Sequence, residues 1–377
     1  MVDAVRLEDC YGGGVAEAEA PPSLWGSMVA VAAAFVAGGE AAGIARSKCV
    51  DELVAVLRRL GAKIEAVASG VLAAEPGIGE GGSLRLSCPF VAYLAAPIAA
   101  VAMRPGSRLV LRFDPLRAPM VKDAAVAAAL LGGRAWPGET RGVLVVEAGP
   151  PRRSLYGRLG SSLAHVAVGV AVAAAAAGAR GALILPESVV ASTWLHSSIE
   201  LLPWARLEGR RLVLEPPTTR VHANPWPSLG GLLAGLLPML YGLGAEEALV
   251  PRLRGLEEAA AALGFKVFNE NGETLRLHAA SPRLGSLRAR DDPDLIYVAA
   301  AQASALGVGL EAEQRLLEVE GELGGGEGCG SWLGCAHGYG ALLSGRVTRL
   351  HGFEALLGRL PGMGEVVSRV SQCILIA

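Results

Sequence analysis

The sequence predicts an α/β (α+β) fold in about two domains, each assembled from copies of one supersecondary unit. Three observations carry this reading. The chain has 377 residues, too many for one ordinary hydrophobic core. It is 52% hydrophobic and 19% charged, a composition that fills large cores and excludes disorder. Four stretches share one plan: a helix, a Gly or Pro turn, a short strand, a polar turn and a second strand. They are "LVAVLRRLGAKIEAVASGVLAAEP" (53–76), "AAVAAALLGGRAWPGETRGVLVVEAG" (124–149), "SSIELLPWARLEGRRLVLEPP" (197–217) and "EEAAAALGFKVFNENGETLRLHAA" (257–280). In each, apolar residues keep helical spacing up to the turn and alternate after it. The first three recur at roughly 70 residues, too long for a solenoid repeat, so they are tandem copies of a larger unit. A copy expected after residue 295 is shortened. "LEAEQRLLEVEGELGGGEGCGSW" (310–332) has one strand-like run and then a glycine tract where a helix and a second strand belong.

Taken in order, the chain starts with "MVDAVRLEDCYGG", which is acidic and lacks the apolar core of a secretory peptide. "PPSLWGSMVAVAAAFVAGG" (21–39) runs from a Pro-Ser turn into a small-residue helix that ends on a glycine pair. That layout suits an anion at a helix N-terminus, where free N–H groups and the positive dipole end point outward. No cation accompanies it; Leu24, Trp25 and Val29 stand there instead. Ser23 reads equally well as a helix cap and Trp25 as a core aromatic. The apolar runs 165–179 and 229–245 are rich in Gly and Ala and fall short of a membrane span, so buried core helices are expected. The formal charge is −2, which favours neither nucleic acid nor an anionic membrane surface as partner. Only Lys48, Lys63, Lys122 and Lys266 are available for chemistry that needs lysine. Six cysteines are scattered without a CxxC pair. Free buried thiols are expected, and a glycine-rich buried turn rather than a metal site at Cys335 and His337. A cytoplasmic, monomeric protein without cofactor or metal is the expectation.

The order of these motifs resembles that of the EPSP synthases (3-phosphoshikimate 1-carboxyvinyltransferases). After the P-x-S turn comes "LRRLGAKIE". "SRLVLRFDPLRAPMVKDAAVAAALLGG" is similar to the family's strand, D-x-S-L-x-x-R-P-M turn and helix. "GSSLAHVAVGVAVAA" resembles the Ser-Ser-Gln loop that opens a helix, and "VHANPWPSLGGLLAG" the P-D-x-S-S-A passage into the second domain. "RARDDPDLIYVAAAQASALG" is similar to the D-x-N-x-x-P-D-L segment. "SGRVTRLHGFEALLGRLPGMGEVV" resembles the closing strand and P-G-F helix. The match runs through nearly the whole chain in order, with each motif weak alone. The resemblance implies two domains of βαβαββ units: residues 21–218 with three units, and residues 1–20 plus 219–377, with the fifth unit shortened.

It also implies a reaction, the transfer of enolpyruvate from phosphoenolpyruvate to shikimate 3-phosphate in aromatic amino-acid biosynthesis. Two phosphates and a carboxylate must then be held by several Lys and Arg, while a carboxylate and a lysine move protons. Position by position, the sequence departs from this. Of S-K-S-x-S-x-R, Ser23 and Ser27 remain, with Leu24, Trp25 and Val29 elsewhere. Where S-D-D is expected, Ser47 is followed by Lys48 and Cys49. The N-A-G-T-x-x-R loop has become Cys88, Pro89, Phe90, Val91 and Leu94. The R-P-M turn is one residue short, leaving Arg117 as the candidate arginine. Ser161 and Ser162 match the Ser-Ser-Gln loop, with Leu163 for the glutamine. Arg288 takes the place of the catalytic aspartate, while Pro293 and Asp294 persist, the latter a helix cap. The K-E-S-D-R motif, the D-H-R motif and the lysine before P-G-F are missing.

The candidate substrate-binding residues are therefore Ser23, Ser27, Arg117, Ser161 and Ser162, and no catalytic residue is assigned. Turns and caps survive while phosphate-gripping cations do not. Loss of six or more such groups removes stabilisation of order 10 kcal/mol, the scale of enzymatic catalysis. Three readings follow: a divergent, weak or inactive EPSP synthase; a non-catalytic binding or scaffold paralogue on the same shell; and a different enzyme of the RNA 3′-phosphate cyclase type, which needs a late histidine such as His337.

Overall fold

The computed structural model describes residues 15–345 apart from 19, 46, 69, 89, 114–117, 162, 244, 289–291, 293 and 312–331. Contacts divide the chain into two compact units, Pro22–Trp226 and Met1–Pro21 together with Pro227–Ala377. In chain order the elements are β1 (Val15–Glu17), α1 (Leu24–Ala37), β2 (Gly39–Ala42), α2 (Lys48–Arg59), β3 (Lys63–Ala68), β4 (Val71–Glu75), β5 (Gly79–Leu86), α3 (Phe90–Ala102), β6 (Met103–Phe113) and α4 (Ala118–Leu131). There follow β7 (Arg134–Pro137), β8 (Val143–Glu147), β9 (Ser154–Arg158), α5 (Ala164–Ala176), β10 (Arg180–Ile184), α6 (Glu187–Val190), α7 (Thr193–Glu200), β11 (Ala205–Glu208), β12 (Arg211–Leu214) and β13 (Val221–Ala223). The last are α8 (Leu229–Leu240), β14 (Glu247–Pro251), α9 (Leu256–Leu263), β15 (Phe265–Asn269), β16 (Thr274–Ala279), α10 (Leu295–Leu306) and α11 (Trp332–Leu343).

The four sequence repeats are four helix–hairpin pieces: α2 with β3–β4, α4 with β7–β8, α7 with β11–β12, and α9 with β15–β16. Each hairpin joins a four-stranded sheet of one topology. The orders are β13-β2-β4-β3, β5-β6-β8-β7, β11-β12-β10-β9 and β1-β14-β16-β15. In every case one parallel pair is extended by an antiparallel hairpin: β13 with β2, β5 with β6, β9 with β10, and β1 with β14 are the parallel partners. Alternation, clearest in β12, β14 and β16, sends one side to the helices and the other outward. The parallel pairs approach closely where a glycine allows it. A Cβ on Gly39 (φ 141°) would lie 2.0 Å from the Val221 carbonyl oxygen, and one on Gly181 (φ 155°) 1.8 Å from that of Leu155. Both φ values also favour glycine over other residues.

In the Pro22–Trp226 unit, α1, α3 and α5 pack on one another inside the three sheets. α1 is buried from Leu24 to Val36 and α5 from Ala164 to Ala175, which is why their apolar residues show no amphipathic stripe. The runs expected to be core helices are α5 and α8. No helix among the described residues is long and apolar enough to cross a membrane.

Two expectations are corrected. The thiols of Cys49 and Cys88 are not free: they form a disulfide, with Cα atoms 5.2 Å apart. Spacing of 39 residues carries no hint of it; the fold brings the first turn of α2 beside Cys88, two residues ahead of α3. Cys335 and His337 lie on a helix, α11, rather than in a turn. Small glycines inside a helix cost about 1 kcal/mol each, and packing of α11 on α10 offsets that. Most of the shortened fifth unit falls at 312–331, outside the described residues, as do Cys10, Cys329 and Cys373.

Candidate functional site

The first turns of α1, α3 and α5 meet at one cluster of rings. Trp25, Phe90 and His165 occupy the first or second position of these helices. The Trp25 and His165 ring centroids are 4.5 Å apart, Phe90 and His165 5.4 Å, and Trp25 and Phe90 5.9 Å. Tyr93 on α3 and Trp194 on α7 complete the wall around His165, at 5.6 and 4.7 Å. Leu24, Val29, Cys88, Val91, Leu94 and Leu163 are all buried with them. Each fully buried large apolar side chain contributes about 1.5–3 kcal/mol, so the cluster is a strong core. Trp25 is fixed by its indole N–H, which donates to Ser198 Oγ at 3.0 Å.

The polar residues beside this cluster are mostly engaged. Ser23 Oγ accepts from the Gly26 N–H at 3.2 Å, capping α1. Ser27 Oγ donates to the Ser23 carbonyl at 2.7 Å and accepts from the Ala45 N–H at 2.8 Å. Ser161 Oγ accepts from the Leu163 N–H at 3.1 Å and hydrogen-bonds the Asp123 carboxyl, whose pKa burial raises against that bond and the Lys122 charge. Ser23, Ser27 and Ser161 are thus buried and bonded to the protein itself. Arg117 and Ser162 lie outside the described residues. Lys48 and Arg158 are exposed.

His165 is the exception. It is 1% exposed, and neither ring nitrogen has a hydrogen-bond partner among the described residues. Burial pushes its pKa down to about 3, so at neutral pH the ring is uncharged, with one donor and one acceptor unmet.

The second unit holds a different polar centre. Ser228 caps α8 by accepting from the Gly231 N–H at 2.9 Å. The same hydroxyl lies 3.2 Å from Asp292 Oδ2 and 3.2 Å from Asp294 Oδ2. Asp292 also accepts from the Gly230 N–H at 2.9 Å and the Asp294 N–H at 2.9 Å. A hydroxyl has one proton, so Ser228 can donate to only one carboxylate. Asp292 already accepts two N–H groups and suits that donation; Asp294 must then supply a proton of its own. Burial, and then the Asp292 charge, hold the Asp294 carboxyl well above the usual range. Burial raises Asp292 too, opposed by its N–H bonds. The expected side-chain cap by Asp294 is not found: it sits at the N-cap position of α10, but its side chain makes no cap bond because it faces Ser228. Arg288 is exposed and pairs with Glu258 at 3.0 Å. No group of three or more potential metal ligands occurs among the described residues.

Comparison with solved structures places this architecture. An EPSP synthase from Acinetobacter baumannii superposes over 96% of this chain and 97% of its own, with TM-score 0.60 and 14% identity. A second structure of EPSP synthase from that organism covers 78% of this chain and 74% of its own, with TM-score 0.53 and 16% identity. The fold is that of the EPSP synthases. No family model and no curated protein sequence matches the chain.

Sequence reasoning missed His165, Trp194, Asp292 and the Cys49–Cys88 bridge. A histidine opening an otherwise apolar run, "HVAVGVAVAAAAA", and an acidic pair two residues apart are the signals that could have marked the first and third.

Proposed function

We infer that this chain is an EPSP synthase-fold protein with little or no capacity to transfer enolpyruvate from phosphoenolpyruvate to shikimate 3-phosphate. The observation that carries this is the ring cluster. The helix N-termini that resemble the family's anion-binding loops are filled by buried Trp25, Phe90 and Leu163. Their serines are spent on capping and on each other. A phosphate dianion placed there would lose its hydration for apolar walls and neutral donors, and such donors are about half as strong as charged ones.

The test is direct. Purified protein given both substrates should release no phosphate above background, and calorimetry should detect neither ligand at millimolar concentration. Turnover that disappears in Arg117→Ala or Arg158→Ala would overturn the reading and show that the binding charge has moved within the fold. The second reading, a binding or scaffold paralogue, is favoured by the retention of caps and packing beside lost cations. Residence as a monomer in the cytoplasm belongs to the same proposal. The Cys49–Cys88 bridge offers a check on location, because a reducing cytoplasm disfavours disulfides. Alkylation of thiols in intact cells should find both cysteines protected if the bridge persists there.

A further inference from the structure

We propose that the ring cluster around His165 is a binding site closed by its own side chains, and that it takes a neutral, planar aromatic compound carrying a hydroxyl or ring N–H, of the phenol or indole class. This rests on the reading above, in which the cluster no longer serves anions. A buried polar group with no partner needs an explanation, and His165 is nine-tenths and more buried with both nitrogens unmet among the described residues. A core built only for stability is better served by Phe or Leu at this position. The imidazole stands on the first turn of α5, whose N-cap Leu163 has no side chain able to cap. Four aromatic rings surround it at 4.5–5.6 Å, the spacing at which rings stack or meet edge to face. None of these neighbours is charged, so the site selects neutral molecules.

Trp194 is the wall that can yield. Trp25 is held by Ser198, whereas no hydrogen bond holds the Trp194 indole among the described residues. It is also the most exposed of the rings, at 9%. It stands on α7, eight residues long, whose N-cap Ser192 makes no side-chain cap bond. A ring entering in place of Trp194 would keep the stacking, and its O–H or N–H would donate to the free imidazole nitrogen.

The experiment compares phenol with benzene, which has the same ring and no polar group. Full-length protein labelled with 15N in histidine is titrated with each at millimolar concentration. Phenol should shift the His165 ring nitrogens and bind about 3–10-fold more tightly than benzene, the preference one neutral hydrogen bond confers. In His165→Phe the preference should vanish. If His165→Phe does not fold, His165→Gln, which retains a donor and an acceptor, should fold and keep a preference for phenol. Equal binding of the two probes, no shift with either, or a crystal structure with enclosed water on both nitrogens would overturn the proposal. These outcomes are independent of phosphoenolpyruvate binding: enolpyruvate transfer with release of phosphate would sink the functional reading alone, and absence of a phenol response would sink the site alone.

Discussion

Opening the Cys49–Cys88 bridge should destabilise the Pro22–Trp226 unit by about 4 kcal/mol. The two cysteines are 39 residues apart. In the chain-entropy treatment a cross-link removes about 2.1 + 1.5R ln n cal/mol/K from the unfolded state. For a loop of that length the sum is about 13 cal/mol/K, or about 4 kcal/mol at 25 °C. The folded side of the balance changes little, because the same two segments are held by a second clasp. Glu52 on α2 accepts from the Ser87 N–H at 2.9 Å, the Ser87 hydroxyl at 2.7 Å and the Cys88 N–H at 2.8 Å. With that clasp in place, the reduced protein should keep its native arrangement and lose only the constraint on the unfolded chain.

The assay is a thermal melt of oxidised protein, of protein held reduced, and of Cys49→Ala/Cys88→Ala. For a unit of this size each kcal/mol moves the midpoint by about 2–4 °C, so reduction should lower it by about 8–16 °C. The double variant should fall with the reduced form. Superimposable melts of the oxidised and reduced forms, with the bridge verified by mass spectrometry, would refute the entropic reasoning. Two free thiols at these positions in the folded, air-equilibrated protein would refute the bridge itself.

Two pH-dependent predictions concern the two units separately. Asp294 has a folded pKa above its unfolded one, so its contribution is fully present below the unfolded pKa and is lost as pH rises towards the folded value. Asp294→Asn supplies an N–H to Ser228 without that dependence and should raise the midpoint by a few °C at pH 7–8 but not at pH 4; a loss at every pH would mean that an ionised Asp294 is required. His165 runs the other way. Its folded pKa is depressed to about 3, so stability is full above the unfolded pKa and declines as pH falls. The loss should reach about 2 kcal/mol between pH 7 and pH 5. His165→Phe should abolish that slope, measured by urea unfolding across the range; an unchanged slope would place the acid sensitivity elsewhere.

What the sequence made legible, and what it hid, divide by the range of the interactions. The four helix–hairpin units were readable because helical spacing, a Gly or Pro turn and strand alternation are all local. Ser23 was readable as a cap because its partner, Gly26, is three residues away. Asp294 shows where this fails. Its position before α10 is that of a cap, yet its side chain answers to Ser228, 66 residues distant, and the presence of Asp292 beside it changes its protonation. Cys49 and Cys88 read as separate thiols for the same reason: nothing between them in sequence encodes that α2 and the residues just ahead of α3 lie together. The ring cluster combines both cases. Leu24, Trp25, Phe90 and Leu163 could be recognised one by one as apolar residues in loops that resemble anion-binding motifs. That they close on each other around an unpartnered histidine depends on three helices arriving at one point. Taken singly each is an apolar residue at a helix start; taken together in space, they form a packed core. The chain therefore has the EPSP synthase fold, with the N-termini of α1, α3 and α5 closed on one another by rings.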